Sequence, residues 1–177
     1  EAARYGLVIA LTNAGRADEA ALELDSIWSG DPDRLEYLIA DAEIDMLRAQ
    51  PEKAVDKLLR QLNLSPGNHP LTMTYANALM KNQEPHIAEE VLVAQGKRRP
   101  TDPGLWYLLA EVQGLSGNII GLHQSRAEYF ILNGILDQAE KQLSYALKLV
   151  KNDYLTSAKI NQRLKDVAEM RQQMERL

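Results

Sequence analysis

At 177 residues the chain has room for one domain or a short array of repeats, and a globular chain of this size buries roughly 70% of the surface its unfolded form exposes. Leucine, alanine, glutamate, lysine and glutamine dominate, β-branched residues are sparse and Phe130 is the lone phenylalanine, so local propensity favours helix nearly everywhere and no credible strand stands out. The net charge of −5 sits at the front, with 11 acids against 4 bases in residues 1–50, which excludes a phosphate-reading nucleic-acid binder; the one tight basic cluster, Lys97, Arg98 and Arg99, reads as a solvated helix C-terminus.

The chain opens at Glu1, without a methionine and already within a helical pattern, as a stretch taken from a longer protein would. From there a phrase recurs about every 34 residues: a turn, a small residue, an apolar run, then proline or a polar stop. The first copy is GRADEAALELDSIWSGDP, with Gly15, Ala20, Leu24, Ile27 and Pro32. The second, QPEKAVDKLLRQLNLSPGN, places Ala54, Leu58 and Pro66 at the matching positions, and the third, EPHIAEEVLVAQGKRRPTD, places Ala88, Leu92 and Pro100 there. Each unit predicts two antiparallel helices, because a short turn sends the second helix back along the first and alanine lets the backbones approach. Pro32, Pro66 and Pro100 mark the handover between hairpins, while Pro51 and Pro85 open second helices, where a missing amide hydrogen costs little.

The first helices carry apolar stripes at helical spacing: Leu7 and Leu11; Leu38 and Ala42; Tyr75, Ala76 and Leu79; Trp106, Leu109 and Ala110. These are expected to form the core between helices, since neither helix of a pair buries its face alone. After Pro100 the regularity slips. The helix carrying Trp106 is followed by Ser116 to Asn118 and then by IIGLHQSRAEYFILNG, a segment that serves two registers. Read backwards from DQAEKQLSYALKLVKND, it forms a further unit with Ala127, Phe130, Gly134, Ala139, Leu143 and Ala146, and Asn152 and Asp153 take the place of the proline. The units therefore lie near 1–34, 35–68, 69–102, 103–119 (partial) and 120–153. Residues 154–177 form an amphipathic helix with Ile160, Leu164, Val167, Met170 and Met174 on one face, expected to cap the array rather than to dimerise.

Chemistry-bearing motifs are missing. There is no cysteine, which excludes disulfides and thiolate metal sites and leaves cytosol and periplasm both open. No apolar run approaches the roughly 20 residues of a membrane helix, and no signal-peptide pattern occurs. His69, His86 and His123 do not pair at helical spacing around a glutamate, so no HExxH zinc site can form, and no phosphate-cradling glycine loop, nucleophile elbow or triad phrase is present.

The spacing of Leu7, Gly15, Ala20, Leu24 and Pro32, echoed by Trp106, Leu109, Ala110 and Gly117 and by Ala127, Gly134, Ala139, Leu143 and Ala146, resembles the tetratricopeptide repeat family over nearly the whole chain. Asp41 and Asp45 depart from that family's apolar pattern and put the groove geometry of the second unit in question. The resemblance implies an all-α, superhelical solenoid of antiparallel helix pairs with a C-terminal capping helix, whose first helices line a partner-binding concave surface. Residues one step off the core stripe are then the expected contacts: Tyr5, Ile9 and Asn13; Ile39, Glu43 and Met46; Met73, Asn77 and Met80; Tyr107 and Glu111. Aromatic, thioether and amide side chains suit an extended or helical peptide. The lysine and arginine clamp by which some members of the family grip a terminal carboxylate is absent, since its places hold Tyr5, Ile39, Met73 and Tyr107. The groove is thus expected to read apolar and backbone features, with Glu43 and Glu111 disfavouring acidic peptides.

A narrower likeness lies in GLHQSRAEYFILNG followed by DQAEKQLSYAL, which resembles the C-terminal region of BepA-type periplasmic zinc metalloproteases. In that family a zinc protease domain precedes a tetratricopeptide domain that engages substrates and outer-membrane assembly machinery, with protease and chaperone-like roles. The resemblance implies a periplasmic, non-catalytic interaction domain without a cofactor of its own, zinc belonging to a protease domain outside this stretch. Its partners would be proteins or peptides, including the parent's own protease domain, with neither nucleic acid nor direct membrane insertion. A free-standing adaptor built only of repeats, or a module that oligomerises through its last helix, are the alternative readings.

Overall fold

The computed structural model describes residues 2–28, 34–174 and 176. The described residues form ten helices and no strand: α1 (Ala2–Asn13), α2 (Ala17–Ile27), α3 (Leu35–Leu47), α4 (Pro51–Leu64), α5 (His69–Lys81), α6 (Pro85–Arg98), α7 (Pro103–Ser116), α8 (Ile119–Leu132), α9 (Leu136–Leu149) and α10 (Tyr154–Met174). Pro51, Pro85 and Pro103 each stand at a helix's first position, where the ring fixes φ and no hydrogen bond is lost. Asn68, Asp102 and Asn118 cap α5, α7 and α8 by accepting the amides of Leu71 (3.2 Å), Leu105 (3.1 Å) and Gly121 (2.9 Å). Asp153 does the same for Thr156 at 3.0 Å, so the position that lacks a proline starts its helix by a side-chain cap instead. Pro32 lies outside the described residues.

The repeat is written into the backbone. Left-handed φ values occur at Gly15 (72°), Ala49 (57°), Gln83 (63°) and Gly117 (82°), at intervals of 34 residues, each in the turn after a first helix. At Gly15, Ala49 and Gln83 the turn is closed by the same pair of bonds. The residue after it donates back five positions, as Arg16 does to Leu11 O (2.9 Å), Gln50 to Asp45 O (2.9 Å) and Glu84 to Leu79 O (2.8 Å), which satisfies the last carbonyls of the helix. Gly134 (72°) repeats this turn between α8 and α9, with Ile135 donating to Phe130 O at 2.9 Å. Hence α8 follows one hairpin turn as a second helix and precedes another as a first helix, and it packs against both α7 and α9.

Two compact units divide the chain, residues 1–91 and 92–177, with the division inside α6. In the first unit α1 packs on α2, α3 on α4, α2 on α3 and α4 on α5, and the first helices α1, α3 and α5 also lie side by side. Its core gathers Val8, Leu11, Ala20, Leu24, Tyr37, Ala40 and Ile44, with Ala20 fully enclosed where α2 approaches its neighbours. In the second unit Ala127, Leu136, Ala139, Leu143, Ala146, Ile160 and Val167 form a core joining α8, α9 and α10. Fully burying each of the larger aliphatic side chains is worth roughly 1.5–3 kcal/mol.

Four stripe residues differ from expectation. Leu38 and Trp106 are only half-buried, and their neighbours Tyr37 and Leu105 are enclosed in their stead. Leu7 is 47% exposed and its neighbour Val8 is fully buried in its stead, because α1 is rotated by one residue relative to the expected stripe. On α10, Ile160 and Val167 are buried and Leu164 and Met170 pack against them, but Met174 is 58% exposed in the last turn.

Candidate functional site

In the first unit, α1, α3 and α5 lie side by side, and each carries residues that stay outside the buried core. On α5 every residue from Leu71 to Leu79 is buried except Met73 and Asn77, and Met80 follows as half-buried; these three recur at helical spacing and share one face. On α3, Tyr37, Ala40 and Ile44 turn into the core shared with α1 and α2. Asp41 and Asp45 turn toward Lys57 of α4. That leaves Ile39, Glu43 and Met46, all half-buried, on the remaining face. On α1, Tyr5 and Ile9 pack along the edge of the core and Asn13 is exposed.

Tyr5 joins two of these helices. Its hydroxyl donates to Glu36 O at 3.0 Å and its ring meets that of Tyr37 at 5.0 Å between centroids. Arg34 in turn stacks over the Tyr37 ring at 4.5 Å and donates to its hydroxyl at 2.7 Å, so the edge of the face is held by an aromatic and guanidinium layer. Burial, reinforced by the carboxylates of Glu36 and Glu43, raises the Tyr5 phenol above its ordinary value. Burial alone raises Glu43, and among the described residues no cation or hydrogen-bond donor meets its carboxylate. Every other acid on α3 has a basic partner: Glu36 pairs with Arg34 at 3.0 Å, and Asp41 and Asp45 share Lys57.

The pair of aspartates that breaks the apolar pattern is thereby accounted for. Asp45 is 8% exposed, and although no well-directed hydrogen bond reaches its Oδ2, the Lys57 ammonium lies 2.6 Å away. Compensation is ionic and internal to the α3 and α4 hairpin, so these acids do not occupy the open face. Neither Tyr37 nor Lys57 stands out in the sequence as part of this arrangement, since their partners lie on other helices.

In the second unit, Tyr107 is 53% exposed on α7 and its ring packs edge-on against Tyr129 of α8 at 5.6 Å, while Glu111 one turn on is exposed. This unit also holds a cleft of about 530 Å³ walled by Val93, Trp106, Leu109, Gln113, Ser125 and Lys159. Trp106 is fixed there by donating Nε1–H to Pro100 O at 2.8 Å, and Ser125 donates to Gln113 Oε1 at 2.6 Å. The sequence signals this cleft only through the bulk of Trp106. His123 hydrogen-bonds Gln142 at 2.7 Å and stacks near Tyr145, a packing role. Among the described residues no group of three or more histidine, aspartate or glutamate side chains is placed to hold a metal, and no helix is long and apolar enough to cross a membrane.

Helix pairs of this kind, repeated at 34-residue intervals, are compared most directly with solved structures. The chain superposes on a tetratricopeptide repeat protein from Parabacteroides merdae with a TM-score of 0.58 and 13% identity, covering 93% of this chain and 70% of that one. It superposes on MamA from Desulfovibrio magneticus RS-1 with a TM-score of 0.58 and 17% identity, covering 94% of this chain and 96% of that one. The chain has the tetratricopeptide fold. This all-α solenoid of antiparallel helix pairs is the one that the repeat spacing implies. No family model matches the sequence. Among curated proteins, the chain is 28% identical over 171 residues to the beta-barrel assembly-enhancing protease of Escherichia coli K12, covering 97% of this chain and 35% of that protein. It is 29% identical over 163 residues to the protein of the same name from Yersinia pestis, covering 92% of this chain and 34% of that one. The chain thus spans about a third of the length of the curated relatives it matches, and the resemblance to BepA-type proteases noted in GLHQSRAEYFILNG extends across 97% of it.

Proposed function

We propose that this chain is the non-catalytic, protein-binding part of a zinc metalloprotease of the beta-barrel assembly-enhancing kind, and that it holds substrates or outer-membrane assembly partners for a protease part lying elsewhere in its parent. The carrying observation is the similarity over 97% of the chain to about a third of such a protease, in a stretch that has no HExxH and folds as helix pairs. Periplasmic location, a chaperone-like role and zinc in the protease part all follow from this reading and belong to it.

The candidate contact residues in this proposal are Tyr5, Ile9, Asn13, Ile39, Glu43, Met46, Met73, Asn77 and Met80 within the first unit and, separately, Tyr107 and Glu111 within the second. Their half-buried thioethers, the exposed amides of Asn13 and Asn77 and the exposed Tyr107 ring offer adaptable apolar contact and backbone hydrogen bonds, the chemistry of peptide capture. Photo-crosslinking groups placed at Met73 and Tyr107 are expected to yield adducts with envelope proteins in cells, and the same group at exposed Leu22 on α2 is not. Adducts from Leu22 alone would overturn the surface assignment. A parent without an HExxH helix would remove the protease connection and leave an adaptor. Light scattering that finds a monomer both with and without residues 154–177 would argue against the alternative of self-association through α10.

A further inference from the structure

Glu43 is the one acid on α3 without a basic partner among the described residues, and it sits on the central helix of the three that form the open face of the first unit. A half-buried carboxylate left without a counter-ion is costly, and it is tolerated where something else supplies the charge. Four cations of the first unit are already engaged: Arg4 with Glu23 at 2.6 Å, Arg34 with Glu36, Arg48 with Asp18 at 2.8 Å, and Lys57 with the two aspartates. Lys81, in the last turn of α5, makes no ion pair with Glu43. One 34-residue step along the chain, Asn77 and Met80 hold on α5 the places that Glu43 and Met46 hold on α3, Met73 shares their helix face and the two helices pack side by side, so the face supplies flexible thioethers suited to an aliphatic stem and an amide that can bond a backbone.

We infer that this face accepts an internal segment of a partner protein carrying a lysine or arginine among apolar residues, with the Glu43 carboxylate as the counter-ion of that side chain and the methionines packing along its stem. The inference rests on the protein-binding reading above and sharpens it, since repulsion of acidic segments becomes selection of basic ones. The 11 acids and 4 bases of residues 1–50 point the same way, because a negative field draws a cationic segment toward the face before contact.

The test uses the full chain and an array of short peptides, capped at both ends, in which leucine, methionine and tyrosine are permuted around a central lysine, norleucine or glutamate. Norleucine keeps the aliphatic stem and drops the ammonium. Lysine peptides are expected to bind about tenfold tighter than their norleucine counterparts in the chain itself, and about equally in Glu43→Gln. Melting by circular dichroism establishes that the variant is folded. Equal binding of lysine and norleucine peptides, weakened by Met73→Ala, would overturn the counter-ion role while leaving the binding face standing. A uniform loss for every peptide in folded Glu43→Gln would also overturn it, as a structural effect. Absence of binding by all three sets would overturn both the inference and the reading beneath it.

Discussion

Ala49 and Gln83 occupy the left-handed turn position that Gly15 fills in the first hairpin and Gly134 in the turn between α8 and α9. A residue with a Cβ pays roughly 1–2 kcal/mol for that conformation, and glycine returns part of the gain as unfolded-state entropy. Ala49→Gly and Gln83→Gly are therefore each expected to stabilise by about 0.5–1 kcal/mol, seen as a higher urea midpoint at unchanged slope, while Gly15→Ala shifts the midpoint the other way. Glu43 gives a second residue-level expectation. Its pKa is raised by burial, so the folded state binds the proton more tightly than the unfolded state, and the penalty of the bare carboxylate is full above the folded pKa. It disappears as pH falls through that value. Glu43→Gln should accordingly raise stability at neutral pH and do so progressively less on acidification, as followed by melts across a pH series; a gain that grows with acid would contradict the assignment. The helical spacing that sets Ile39, Glu43 and Met46 on one face is legible in the sequence. That Glu43 is the acid of α3 without a basic partner among the described residues is not, because Lys57, which neutralises Asp41 and Asp45, is drawn to them only when α4 folds back on α3.

At the scale of the helix, what fixes each hairpin is a small number of enclosed contacts. Gly121 is the tightest: a Cβ there would stand 2.6 Å from both the Asn118 Nδ2 and the Gln113 Nε2, displacing the side chain that caps α8 and the buried amide that receives Ser125. Gly121→Ala is expected to cost about 2 kcal/mol, measured by chemical denaturation, with Gly6→Ala as the clash-free control, where nothing lies near the added Cβ and helix propensity favours alanine by about 0.5–1 kcal/mol. The elements themselves are readable because proline and alanine recur in one register, at Pro66 and Pro100 and at Ala20, Ala54 and Ala88. The facing of α1 is not. Leu7, Val8, Ile9 and Leu11 form a nearly continuous apolar run, and a period of 3.6 leaves adjacent apolar residues indistinguishable until Tyr37 of α3 packs against one side. The doubled role of α8 is visible only as a break in the repeat, and its cause lies in Gly117 and Gly134, two left-handed turns half a repeat apart, which make one helix the neighbour of both α7 and α9.

For the molecule as a whole, stacked hairpins contact mainly their sequence neighbours, so stability is approximately a sum of local terms and a defect at one end is felt most strongly there. The chain carries its own reporters of this. Its two tryptophans fall one in each unit, Trp28 packed on the core of the first and Trp106 lining the cleft of the second. The second unit ends on α10, which is fastened by Ile160 and Val167 in the core and by the two-bond pairing of Arg163 with Glu128 at 2.8 and 2.6 Å. Ile160→Ala removes a fully buried side chain and is expected to cost the second unit about 3 kcal/mol. With Trp28→Phe and Trp106→Phe versions each leaving a single emitter, the Trp106 transition in urea should move to distinctly lower denaturant while the Trp28 transition moves less. Identical displacement of both transitions would mean that the chain unfolds as one cooperative body, and that the local accounting proper to a repeat array does not apply to it.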